Sequence, residues 1–109
     1  AALAAAHGAV ASDPVSVQAL WQLAAVYSAM NDRVASRQEW VKATQVQPSN
    51  PATWQQLGSF DLQTHRPRLA LAELDVARRL DRTSLSTLEL IDQAHRELAS
   101  APHASTGSA

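Results

Sequence analysis

His7, His65, His95 and His103 are the residues best suited to hold a metal or move a proton near neutral pH. Their positions share no metal-ligand spacing, and no HExxH run occurs. Cysteine is absent, which excludes disulfides and thiolate metal sites. Carboxylates can pair as a catalytic acid and base. Asp75–Arg79 and Asp92–Arg96 are instead four-residue helix pairs, each worth a few tenths of a kcal/mol. Arg78, Arg79 and Arg82 fall at the end of a helical stretch, where cations suit the dipole better than they mark a phosphate site. No catalytic residue, cofactor site or metal site is expected, and no enzymatic activity.

The elements that position these residues are helical. Alanine, leucine, glutamine and arginine dominate, and β-branched residues never alternate over a strand length. Leu20, Leu23, Ala24, Tyr27 and Met30 recur at three- and four-residue steps along one helix face. Ser36, Trp40, Ala43 and Val46 mark a second, with Asn31-Asp32 as the turn between them. Pro48 closes that helix, because the residue before a proline avoids the α region. Asn50 then caps a new helix, and Pro51 takes the first position, where its missing N–H costs nothing. This helix carries Trp54, Leu57, Gly58 and Phe60 and breaks at His65-Arg66-Pro67. Pro67 opens the next, with Ala70, Leu74, Ala77 and Leu80. After a turn at 81–84, a last helix is expected to carry Leu88, Ile91, His95 and Leu98 on one face. Residues 100–109, SAPHASTGSA, have nothing to bury and should be disordered.

Composition limits the partners. The 109 residues suit one small domain, and a chain of this size buries about two-thirds of its unfolded surface. Nine basic and ten acidic residues leave a net charge of −1, no electrostatic footprint for nucleic acid or an anionic membrane. No apolar run approaches the roughly 20 residues of a membrane span, so direct membrane insertion is not expected. The opening AALAAAHGAVAS lacks the basic start and long apolar centre of a signal peptide. With no initiator methionine, the chain reads as part of something longer. One lysine, Lys42, stands against eight arginines, a bias that fits a GC-rich bacterial genome. No compartment follows from these features.

Sliding the chain by one period of about 34 residues lays the second helix pair on the first. Leu20, Leu23 and Ala24 meet Trp54, Leu57 and Gly58; Ser36, Trp40 and Ala43 meet Ala70, Leu74 and Ala77. This period, with W-x-x-L-G and the small and bulky positions that follow, resembles the tetratricopeptide repeat (TPR). The resemblance implies an all-α, right-handed solenoid of antiparallel helix pairs, about five to six helices in all. It sets a first repeat at 17–50, a second at 51–84 and a capping helix at 85–99. Pro14 lies one period before Pro48, so 1–12 reads as the second helix of an earlier, partial repeat. Asp61 departs from the pattern, standing where the family places an aromatic; it either reaches an arginine on a neighbouring helix or faces water. Arg82 departs where the family closes with proline. In this register Trp40 and Trp54 are expected between helices and Trp21 partly exposed.

The resemblance also implies a function. In this family the first helix of each pair lines a concave surface that binds a protein or peptide partner. The corresponding positions here include Gln18, Trp21, Ser28, Gln55, Ser59, Leu62, Glu89 and Gln93. Chaperone-binding members clamp a terminal carboxylate with lysine and asparagine. Trp21, Ala25 and Ser59 occupy such positions here, so that clamp is absent. Amides can satisfy an extended peptide backbone, and Trp21 either anchors a ligand or covers the adjacent helix. Two other readings stand beside this one. The chain is a structural spacer or an oligomerisation segment, self-associating through 1–12. Alternatively, the run LAAVYSAMNDR to QPSNPATWQQLGSFDL is similar to repeat tails of bacterial O-antigen-ligase-like membrane proteins, which assemble glycans.

Overall fold

A computed structural model describes residues 1–100, and the expected disordered tail, Ser100 apart, lies outside the described residues. Among these residues there are six helices and no strand. They are α1 (Ala2–Ser12), α2 (Val17–Ala29), α3 (Arg33–Val46), α4 (Pro51–Gln63), α5 (Pro67–Leu80) and α6 (Leu85–Ala99). The chain packs as two compact units, Ala1–Thr53 and the residues from Trp54 onward.

Local chemistry sets the helix starts. Ser16 accepts from the Ala19 N–H at 3.2 Å, Asn50 Oδ1 from Ala52 at 3.0 Å, and Ser84 Oγ from Thr87 at 3.3 Å. These three caps are spaced by the repeat period. Each satisfies a first-turn N–H that has no partner within its own helix. Asp32 caps α3 through the Ala35 N–H at 3.1 Å. Arg66 makes no side-chain cap for α5, but Pro67 follows it and has no N–H to satisfy.

In the first unit, Leu20, Leu23 and Ala24 of α2 are buried, as are Ser36 and Ala43 of α3. Val17, Leu20 and Ala43 form a core joined by the half-buried Val10, Trp21 and Val46. Ser36 Oγ donates to the Ala24 carbonyl at 2.7 Å, a buried tie between α2 and α3. Helix α1 packs on α2 through the buried Ala6 and through Val10.

In the second unit, Leu62, Ala70, Leu74 and Ala94 form the core, flanked by Leu71, Leu90 and Ile91. Gly58 lets α4 and α5 approach: a Cβ built there would sit 2.6 Å from Leu74 Cγ, inside any real contact. The buried face of α6 is offset from the stripe of Leu88, Ile91, His95 and Leu98. Thr87 and Ala94 are buried and Leu90, Ile91 and Leu98 half-buried, whereas Leu88 is 41% exposed and His95 lies in solvent. The face is turned by about one residue, because Leu90, Ile91 and Ala94 close the core with α5 while Thr87 reaches α4.

Trp21 is partly exposed as expected, but Trp40 and Trp54 are less buried than expected. Trp21, Trp40 and Trp54 are all half-buried, so no contrast separates Trp21 from the other two. Asp61 does not face water. Its side chain is fully buried and engaged, as a carboxylate in that setting must be.

Candidate functional site

The residues expected to meet a partner fall on one stripe of α2 and on parts of α4 and α6. On α2, the three- and four-residue steps from Gln18 through Trp21 to Ser28 keep them on one face. Gln18 and Ser28 are exposed to solvent. The Trp21 ring packs against Trp40, their centroids 6.2 Å apart and their planes tilted by 49°. Its indole Nε1 is buried with no hydrogen-bond partner among the described residues, so the ring offers a ligand part of its apolar surface but not its donor. Trp21 therefore does cover the adjacent helix.

In the second unit, Gln55 and Ser59 are half-buried, and Glu89 and Gln93 are exposed. Leu62 must be removed from the set. It is 3% exposed, held in the core with Ala70, Leu74 and Ala94, and has no surface to give a partner. Gln55 is positioned by contacts that its spacing does not show. Its Oε1 accepts from Thr87 Oγ1 at 2.8 Å and from Ser84 Oγ at 3.4 Å. The carboxamide oxygen is thereby turned toward α6. The Nε2 amide group, with its two donors, is the end left for other partners.

Thr87 positions Gln55 from the neighbouring helix. A signal for it existed: Thr53 and Thr87 are threonines one repeat period apart, and both are buried. Trp21 and Thr53 have the same separation as Gln55 and Thr87. Thr53 Oγ1, like Trp21 Nε1, is buried with no hydrogen-bond partner among the described residues.

The histidines stand apart. His7 Nε2 and the Tyr27 hydroxyl are 2.9 Å apart and their rings meet edge-on, which fastens α1 to α2. His65 lies in the α4–α5 turn, 3.9 Å from Glu97, with its side chain 83% exposed. His95 points to solvent on α6, and His103 lies outside the described residues. No group of three histidines or carboxylates among the described residues could hold a metal ion. No helix among them is long and apolar enough to cross a membrane.

No family model matches the chain, and no curated protein does. Among solved structures, the chain is similar to the first TPR domain of Spaghetti (RPAP3) bound to the HSP90 peptide SRMEEVD. The TM-score is 0.78 at 12% identity, over 90% of this chain and 78% of that one. The fold is thus a TPR-like helical repeat. The expected bacterial origin and the O-antigen-ligase-like tail find no support in these comparisons.

Proposed function

We propose that this chain is a protein-interaction module that binds a protein or an extended peptide. Its contact residues lie on the first helices of the repeats and on the cap: Gln18, Trp21, Ser28, Gln55, Ser59, Glu89 and Gln93. The repeats run 17–50 and 51–84, with a partial repeat at 1–12 and a cap at 85–99. The observation that carries the reading is the Gln55 carboxamide, oriented by Thr87 and Ser84 before any ligand arrives. A donor already held in place loses little freedom on binding. The likeness to a TPR domain solved with a peptide supports the same reading. Catalysis has no part in it.

Chemical-shift mapping tests the surface. An amidated random-peptide pool, titrated into labelled protein, should move the amides of Gln18, Gln55, Ser59 and Gln93. Shifts confined to α3 and α5 would place binding elsewhere and defeat the proposal. Self-association through 1–12 predicts a sedimentation coefficient that rises with concentration. The burial of Ala6 and the packing of Val10 within the same chain weigh against it.

A further inference from the structure

The charges on α4 and α6 set the electrostatics of the face that carries Gln55. Helix α4 carries no lysine or arginine, and its one carboxylate, Asp61, is buried. Helix α6 carries Glu89, Asp92 and Glu97 against a single arginine, Arg96. Arg96 is already paired with Asp92, one turn away on the same helix. Glu89 is exposed, with no ion-pair or hydrogen-bond partner among the described residues. Its neighbours one turn away on α6 are Leu85, Ser86, Asp92 and Gln93, none of them basic. Glu89 also stands one repeat period after Gln55, at the same position of the next first helix. The hydrogen bonds from Ser84 and Thr87 to Gln55 bring the start of α6 against α4.

Building on the proposed peptide-binding role, we infer that the α4–α6 face selects an internal, extended segment carrying a lysine or arginine. In this arrangement the basic side chain pairs with Glu89, and a backbone carbonyl of the segment accepts from Gln55 Nε2–H. The face has no free cation among the described residues of α4 and α6 to receive a terminal carboxylate. A peptide such as SRMEEVD, with three acidic residues and a single arginine, meets like charge here. An amidated segment with a cation opposite Glu89 meets its complement, and each further acidic residue in it adds repulsion.

A positional-scanning library of N-acetylated, C-amidated decapeptides, bound to the full chain, provides the test. SRMEEVD with its free carboxylate is measured in parallel. The inference expects lysine or arginine to be selected at one position and binding to weaken as salt rises. Glu89→Gln should abolish that selection and weaken the best peptide about three- to fivefold, the scale of an exposed ion pair. Gln55→Ala should weaken binding while leaving the basic preference in place. Peptides bound without basic selection, or with a selection that survives Glu89→Gln, would overturn the inference and leave the peptide-binding reading standing. Tighter binding of SRMEEVD than of any amidated basic peptide would do the same. Failure of every peptide to bind the folded chain would overturn both.

Discussion

Asn31 and His65, one repeat period apart, share one backbone conformation, with φ of 62° and 63°. Both end a helix in the same way. The N–H of Asn31 donates to Ser28 O at 2.9 Å and that of Asp32 to Tyr27 O at 2.9 Å. One repeat later His65 donates to Leu62 O at 3.0 Å and Arg66 to Asp61 O at 2.7 Å. This paired bonding across a left-handed residue satisfies carbonyls that the helix leaves open. Neither position holds glycine, the residue with no Cβ penalty there.

Replacing either residue with glycine should relieve that penalty. His65→Gly is expected to raise unfolding stability by up to about 1 kcal/mol. Asn31→Gly should gain less, because asparagine tolerates the left-handed region better. The exposed His65 gives up only a long contact to Glu97 in the exchange. Urea denaturation reads both, and a loss at His65→Gly would show that its side chain matters more than its backbone.

The two helical glycines should respond in opposite directions to alanine. At Gly58 the new methyl meets Leu74 at 2.6 Å, and overpacking of this kind costs about 1–3 kcal/mol. Gly8 has nothing within 4 Å, so Gly8→Ala should stabilise α1 by up to about 1 kcal/mol through helix propensity. A double variant, Gly58→Ala with Leu74→Ala, should lose less than the two single losses added. Simple additivity in that cycle would deny the contact.

Trp21 and Trp40 should prove energetically coupled. Their rings lie 6.2 Å apart, and aromatic pairs at that range are worth about 0.5–1.5 kcal/mol beyond burial. A double-mutant cycle with leucine at each position, read by thermal unfolding, measures the term. A coupling near zero would show that the ring contact with Trp40 adds nothing to stability beyond burial.

Asp81 gives the fold an acid-sensitive turn. Its Oδ1 accepts from Thr83 Oγ1 at 2.7 Å and from the Thr83 N–H at 3.0 Å. These bonds, the side-chain one foremost, hold the Asp81 carboxyl below its ordinary pKa. A lowered folded value means that the contribution is complete above the unfolded pKa, about 3.9, and is lost as pH falls through the folded one. Carbon-detected titration of Asp81 should give a midpoint below the reference, and Thr83→Ala should move it up. An unmoved midpoint in Thr83→Ala would sink the assignment.

What the sequence determined by itself was everything that depends on near neighbours. The cap at Asn50, the proline starts of α4 and α5 and the breaks at Asn31-Asp32 and His65-Arg66 rest on residues within one turn of each other. The repeat period was legible for the same reason, since equal local units recur. Tertiary structure decided which side of each helix has a neighbour. The spacing of Leu88, Ile91, His95 and Leu98 permits a common face, but α5 and α4 meet α6 about one residue away from it. Leu62 sits in the stripe expected to face a partner, yet its side chain fills the space beside Ala70 and Leu74. Asp61 is hydrophilic and nonetheless fully buried. The Gln55–Thr87 bond joins two different helices, and its existence depends on where α6 docks. Hydrogen bonds that close a turn are specified within the turn, whereas burial is set by atoms that arrive from distant segments of the chain.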